Sequence, residues 1–224
     1  NIKVFFSSNK VILSILLLSF LLSIFYSFYY QIKPVVDAGA YDVIAQNIVN
    51  GNGYIEVLDE GVIYEPSLVR AGPVYQYFLA GIYILFGHNY EFVWIIQALL
   101  HSLSALFVYL TCLLIFKDDI KKKIGIFAAL IIGFYPDLIE ISAMLMTETL
   151  YIFLLCLSIY LFYLYYKNNK LSTLFILSIV FGLAVLTRPP VAFLLPVVVF
   201  YLFQKIQFAR IACFTVLVLL VFTP

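Results

Sequence analysis

Residues 11–30 read VILSILLLSFLLSIFYSFYY and contain no charged side chain. A helix needs about 20 predominantly apolar residues to cross the roughly 30 Å hydrocarbon core of a bilayer, so this run is long enough for one complete crossing. It ends in an aromatic cluster typical of a membrane interface, not in the small-residue cleavage site of a signal peptide. The run therefore predicts a membrane-spanning helix.

The rest of the chain has the same character. Of its 224 residues 65% are hydrophobic and 11% are charged, and the mean hydropathy is +1.08. Because a soluble domain carries about 25% charged residues, this composition predicts an integral membrane protein. It excludes a soluble enzyme, a nucleic-acid-binding protein, a secreted disulfide scaffold and a disordered chain. The net charge of +1 gives no electrostatic attraction to nucleic acid.

Further apolar runs occupy residues 92–116, 124–138, 149–166, 171–187, 191–204 and 211–224. Together with residues 11–30 they predict an all-α polytopic membrane protein with about seven transmembrane helices. We treat residues 1–224 as a single transmembrane module with a long loop at residues 31–91.

The distribution of basic residues predicts the orientation. Residues 73–87, PVYQYFLAGIYILFG, form a short apolar run that either crosses the membrane or lies on it. If it does not cross and the N-terminus is cytoplasmic, ten of the thirteen Lys and Arg residues lie on the cytoplasmic side. Cytoplasmic loops are enriched in Lys and Arg. We therefore predict a surface helix at residues 73–87 in a multi-pass protein of the cell (inner) membrane.

The same orientation places ten of the twelve acidic residues outside. The loop at residues 31–91 is unusually long for a structureless connection, which makes it a functional candidate. Apolar residues recur at helical spacing within DAGAYDVIAQNIVNGNGY, residues 37–54, and predict an amphipathic surface helix at about residues 39–50. Any chemistry is therefore predicted to be extracytoplasmic.

Three charged residues are candidates for a functional site, and the presence of each can also be explained by a purely structural role. Asp37 and Glu148 precede or begin predicted helices, where the helix dipole alone favours an acid. Glu148 is also an ionisable group at membrane depth, which is a functional-site hypothesis by default. Arg188 either reaches lipid phosphate as an interfacial residue or belongs to a site. Together the three can hold a lipid phosphate and deprotonate a hydroxyl.

No metal site is predicted from the histidines, because His88 and His101 lack the spacing of metal ligands. A divalent cation held by carboxylates of the outer loop stays an open alternative.

Four stretches in this order carry a family resemblance. They are DAGAYDVIAQNIVNGNGY (37–54), RAGPVYQYFLAGIYILFG (70–87), FYPDLIEISAMLMTETLYIFLL (134–155) and GLAVLTRPPVAFLLP (182–196). They resemble motifs of the integral-membrane GT-C glycosyltransferases, specifically the family related to dolichyl-phosphate-mannose protein mannosyltransferases and bacterial lipid A aminoarabinose transferases. The order Arg70, Ala71, Gly72, Pro73 departs from the usual order near that turn.

The resemblance implies inverting transfer of a sugar from a polyprenyl-phosphate donor to a hydroxyl or phosphate of a lipid, glycan or protein acceptor outside the membrane. It implies Asp37 as the catalytic carboxylate and Glu148 as a second active-site acid. Arg188, Arg70 and Tyr75 are implied as donor-phosphate contacts, and no organic cofactor is implied. Family members continue beyond the seventh span, so we expect the C-terminal remainder of the family to be missing.

Two other functions remain open at this stage. A polytopic transporter or lipid flippase also carries ionisable residues, but it places them near the bilayer midplane, whereas here the acids cluster at one face. A non-catalytic membrane scaffold with the same fold is the other alternative.

Overall fold

A computed structural model describes residues 10–56, 72–117 and 120–203 of the protein, together with Phe214 and Val218. Within these residues every regular element is a helix. The α-helices are α1 (Lys10–Tyr30), α2 (Asp37–Val49), α3 (Val74–Phe86), α4 (Tyr90–Ile115), α5 (Ile120–Phe134), α6 (Pro136–Ala143), α7 (Thr147–Asn168), α8 (Leu171–Thr187) and α9 (Leu195–Phe203). A 3₁₀ helix at Pro189–Leu194 joins α8 to α9.

Three of these helices, α1, α4 and α7, are long and apolar enough to cross a membrane. A fourth span forms if α5 and α6, which are bent by 49°, count as one. The bend follows from Pro136, whose ring and missing N–H prevent α5 from continuing. The chain is therefore a membrane protein with three or four candidate spans among the described residues.

The predicted number of seven spans is not confirmed. Helix α8 has 17 residues, and the run predicted at residues 191–204 begins with a 3₁₀ turn at the Pro189–Pro190 pair. Both are shorter apolar helices than a full crossing needs. The span predicted at residues 211–224 lies outside the described residues, apart from 214 and 218.

The helices run in alternating directions, which brings distant parts of the sequence to one end of the bundle. Phe28 near the end of α1 contacts Trp94 near the start of α4, with ring centroids 5.7 Å apart. Asn169 ends α7 in the left-handed conformation, and a two-residue connection turns the chain back into α8. The start of α7 and the end of α8 therefore meet at what we call the Glu148 end.

Small and polar residues let the helices approach closely in the interior. Ser19, Ser23 and Ser27 lie on one face of α1 and are fully buried. His101 of α4 forms hydrogen bonds to Ser23 Oγ at 2.8 Å and to the carbonyl of Ile132 at 3.0 Å. Small residues and hydrogen bonds between helices replace the hydrophobic effect as the source of association in lipid. This side chain thus ties α1, α4 and α5 together.

Both segments predicted as surface helices are helical, as α2 and α3; their position on the membrane surface stays a prediction. Helix α3 has 13 residues and rises about 20 Å, less than the hydrocarbon thickness. It ends at Gly87, which adopts a φ of 74°. Its length agrees with the prediction that residues 73–87 do not cross the membrane. Helix α2 packs against it through Tyr41 and Tyr75, whose ring centroids are 5.6 Å apart.

The chain just before α3 packs directly on the end of α8. Gly72 lies so close to the backbone carbonyl of Leu186 that no Cβ atom fits between them. Leu186 is two residues before Arg188. Glycine at this position therefore permits the close approach of two backbones and anchors α3 next to the Glu148 end.

We expect Gly72→Ala to destabilise the protein, because the added methyl group forces the backbones of residue 72 and Leu186 apart. Overpacking of this kind costs about 1–3 kcal/mol. The measurement is the thermal unfolding midpoint in detergent. The matched control is Gly81→Ala within α3, the helix that follows Gly72; nothing lies within 4 Å of the added Cβ, and the higher helix propensity of alanine predicts equal or greater stability. Equal midpoints for Gly72→Ala and the wild type would contradict the packing.

Candidate active site

An ion pair between Glu148 and Arg188 forms the centre of the candidate site. Arg188 Nη2 lies 3.1 Å from Glu148 Oε1, and the side chains are 39% and 20% exposed. Glu148 is in the first turn of α7, where the helix dipole stabilises a carboxylate, and Thr147 Oγ1 donates to its second oxygen at 3.2 Å. The two charges, 40 positions apart in the sequence, are thus brought together at the Glu148 end, accessible from outside the bundle.

Gln97 holds the chain segment that leads into Glu148. Its side chain is fully buried in α4, and its Nε2 donates to the carbonyls of Ser142 at 3.0 Å and Met144 at 2.7 Å. These carbonyls belong to the end of α6 and its connection to α7, where helical partners are missing. Gln97 therefore fixes the position of the α6–α7 connection relative to α4.

Tyr75 reaches the same glutamine from the surface helix α3. Its hydroxyl donates to Gln97 Oε1 at 2.8 Å, and its side chain is completely buried. Burial raises the pKa of Tyr75 well above its usual value, and the nearby Glu148 carboxylate raises it further. Tyr75 therefore experiences the charge of Glu148, while its hydroxyl is engaged in the core. The role in donor-phosphate binding that the resemblance implies stays a prediction.

Asp37 is the first residue of α2 and is exposed. The residue before it, Val36, adopts φ 52° and ψ −117°, a conformation that a β-branched residue rarely takes. Such strain persists only where the surroundings impose it, and it occurs preferentially at functional sites. One helical turn after Asp37, Tyr41 contacts Tyr75, so the helix of Asp37 packs against α3.

The position of α2 depends on Asp42, a residue that sequence reasoning did not select. Its buried carboxylate is bound by the hydroxyls of Tyr83 at 2.6 Å and Tyr90 at 2.8 Å. His88 Nε2 lies 2.9 Å away and Gln46 Nε2 donates at 3.1 Å. Burial and the bond to Asp42 raise the pKa of Tyr83. Hydrogen bonds to charged groups are the stronger class, so this carboxylate ties α2 to α3 and to the start of α4.

An apolar cavity of about 300 Å³ lies between α7, α8 and α9. Its walls include Phe162 of α7, Leu177 and Phe181 of α8, and Val197 of α9. Phe181 is seven residues before Arg188, about 10 Å along the helix axis. The cavity thus lies deeper in the bundle than the ion pair, on the same helix that carries Arg188.

Arg70, the third implied phosphate contact, lies outside the described residues, as do Asp59, Glu60 and Glu65 of the outer loop. Among the residues that the structure describes, no group of three or more His, Cys, Asp and Glu side chains could hold a metal ion. A divalent cation on the outer-loop carboxylates therefore stays an untested alternative.

Comparison with known proteins gives one match. The family model described as dolichyl-phosphate-mannose-protein mannosyltransferase matches residues 70–224, more than two thirds of the chain. No curated protein and no solved structure matches.

We expect Gln97→Leu to lower the thermal unfolding midpoint, because it leaves the Tyr75 hydroxyl and two buried carbonyls without their partner. An unsatisfied buried polar group costs about 1–3 kcal/mol. Tyr75→Phe removes one of the three hydrogen bonds and leaves the other two intact, so its effect is expected to be smaller. A Gln97→Leu variant as stable as the wild type, or less affected than Tyr75→Phe, would contradict this arrangement.

Proposed function

The chain belongs to the dolichyl-phosphate-mannose-protein mannosyltransferase family, and on this premise we propose that it transfers a sugar from a polyprenyl-phosphate donor to an acceptor hydroxyl or phosphate on the extracytoplasmic side of the membrane. Membership implies glycosyltransferase activity with a polyprenyl-phosphate-linked sugar in general. The particular sugar, the acceptor and the side of the membrane belong to the proposal. The observation that supports it best is the Glu148–Arg188 ion pair above an apolar cavity.

A polyprenyl phosphate is an anion attached to a long hydrocarbon chain, and the site offers a complement for each part. Arg188 presents five N–H donors in a planar fork that matches phosphate oxygens. Its Nη2 is bound to Glu148, which orients the guanidinium and leaves further N–H groups for a phosphate. We assign the donor phosphate to Arg188.

The hydrocarbon part of the donor is assigned to the apolar cavity between α7, α8 and α9. The cavity walls carry almost no free polar group, since Ser158 at its edge donates to the carbonyl of Leu154 at 2.7 Å. A lipid chain descending about 10 Å along α8 from a phosphate at Arg188 would enter this space. The proximity of the cation to the apolar cavity favours an amphiphilic ligand over a soluble sugar nucleotide.

The proposed reaction is a single displacement at the anomeric carbon. The acceptor oxygen forms a bond to this carbon while the bond to the phosphate oxygen breaks, and polyprenyl phosphate departs with the electron pair. Asp37 takes the acceptor proton as general base, and Arg188 stabilises the negative charge of the leaving phosphate. One displacement inverts the anomeric configuration, in contrast to the two-step retaining route of glycosidases.

In this proposal Glu148 is a positioning residue. It fixes the guanidinium of Arg188 and is itself fixed by Thr147 and the dipole of α7. Tyr75 contacts Tyr41 of the helix that carries Asp37, and the pKa of Tyr75 is raised by burial and also by the Glu148 carboxylate. Arg70, which immediately precedes the Ala71–Gly72 pair in the sequence, remains a proposed second phosphate contact on the strength of the resemblance.

We expect Asp37→Asn to reduce sugar transfer about 10²–10⁴-fold, the usual contribution of a general base, while donor binding is retained. The assay uses membranes containing the protein and a panel of radiolabelled polyprenyl-phosphate sugars, followed by identification of the labelled acceptor. Asp137→Asn, a change at another exposed carboxylate in the first turn of a helix, is the matched control and should transfer at the wild-type rate. Full transfer by Asp37→Asn at unchanged expression would show that another acid is the base.

A further inference from the structure

A second cavity lies at the far end of α3 from the ion pair. It has a volume of about 300 Å³ and, unlike the cavity between α7, α8 and α9, it is lined mainly by polar and aromatic side chains: Gln31, His88, Asn89, Tyr90, Glu91 and Trp94. Tyr83, which precedes this end of α3, is eight residues from Tyr75 and therefore about 12 Å from it along the helix. The second cavity therefore lies apart from the ion pair and from the apolar cavity next to α8.

The Asp42 carboxylate fixes one wall of this second cavity. His88 Nε2 lies 2.9 Å from Asp42 Oδ1, and because an ionised carboxylate only accepts hydrogen bonds, this ring nitrogen carries the proton. In neutral His88 the other ring nitrogen, Nδ1, is then an acceptor. The Tyr90 hydroxyl is held by the same carboxylate. The side chain of His88 is 42% exposed, so it lines the cavity in a fixed tautomer without being closed off from solvent.

Trp94 also lines this cavity and carries a buried polar group without a partner among the described residues. Its side chain is 95% buried, and its indole N–H is a buried donor without a hydrogen-bond acceptor among the described residues. Buried polar groups in native proteins nearly always have a partner, and each exception calls for an explanation. Gln31, which also lines the cavity, directly follows α1 and adopts a φ of 45°, the left-handed conformation with which helices commonly end.

The chemistry of the walls selects the ligand class. Two amides, a carboxylate and an imidazole line the cavity and offer both donors and acceptors, which matches a ligand with several hydroxyl groups. The six lining residues include no Lys or Arg, and Glu91 adds negative charge, so an anionic phosphate is disfavoured here. We propose that this cavity binds a neutral sugar unit, and that this unit belongs to a glycan acceptor; the acceptor role, though not the sugar binding, rests on the proposed function.

This assignment gives the two ends of α3 different ligands. The donor phosphate binds at the cationic end next to Tyr75, and a sugar of the acceptor binds at the neutral-to-acidic end next to Tyr83. An acceptor with several sugar units can reach from the second cavity towards Asp37, because α2 is tied to this end of α3 by Asp42. Helix α3 thereby sets the distance between the acceptor sugar that binds in the second cavity and the acceptor sugar that reacts.

Intrinsic fluorescence tests the proposal directly, because Trp94 is the only tryptophan in the chain. The protein in lipid nanodiscs, excited where tyrosine does not absorb, is titrated with linear mannotriose, with an N-acetylglucosamine trimer, with a sugar 1-phosphate and with a serine-rich peptide. We expect a saturable change in Trp94 emission with at least one neutral oligosaccharide and none with the last two. Glu91→Gln and Gln31→Ala should each weaken the binding about tenfold, the loss expected for one good hydrogen bond. Asp137→Asn is the matched control and should leave it unchanged.

The Arg188→Ala variant distinguishes the proposed sugar site from the proposed sugar transfer. It should leave the fluorescence titration unchanged, because Arg188 lies near the other end of α3, while sugar transfer is lost. Wild-type protein that binds the sugars but transfers no sugar would count against the proposed function only. No saturable change with either oligosaccharide would overturn the sugar site. Binding that survives both Glu91→Gln and Gln31→Ala, or binding of the peptide in place of the sugars, would overturn it as well.

Discussion

A charge at the edge of a hydrocarbon layer is costly unless it has a partner, and the Glu148–Arg188 ion pair satisfies this constraint for both residues. The pair joins the start of α7 to the end of α8, two helices that meet at one end because they run in opposite directions. Both side chains are partly exposed, so the ion pair is accessible to a ligand. A pair in this position can share its cation with an incoming anion at little cost, which is why we place the donor phosphate there.

Other polar contacts hold the helices that carry the ion pair and the proposed general base. Gln97 fixes the connection into α7 from within the bundle, and Gly72 lets the start of α3 lie directly on the end of α8. Asp42 then ties α2, which carries Asp37, to α3 and α4. The surface helices are therefore fixed to the bundle by hydrogen bonds, and the site depends on buried polar groups that are far apart in the sequence.

Much of this organisation could be read from the sequence. Residues 11–30 and their apolar counterparts predicted the helical membrane fold, and helices α2 and α3 occur where helices were predicted. The prediction of a family is confirmed by the match over residues 70–224. The count of seven spans is not confirmed, because hydropathy does not show where Pro136 and the Pro189–Pro190 pair interrupt a run. Gln97 and Asp42 were missed since their partners come from distant helices; a glutamine inside an apolar span was the one available signal. The roles of Asp37, Glu148, Arg188, Arg70 and Tyr75 remain proposals.

The central claim is that Arg188 recognises the phosphate of a lipid-linked donor. The most direct measurement compares the affinities of polyprenyl phosphate and of the uncharged polyprenol of the same chain length for the protein in nanodiscs. We expect the phosphate to bind at least about tenfold more tightly, as expected for a charge-assisted contact, and Arg188→Gln to remove this preference while polyprenol binding is unchanged. Equal affinities for the two lipids in the wild type, or a phosphate preference that survives Arg188→Gln, would contradict it.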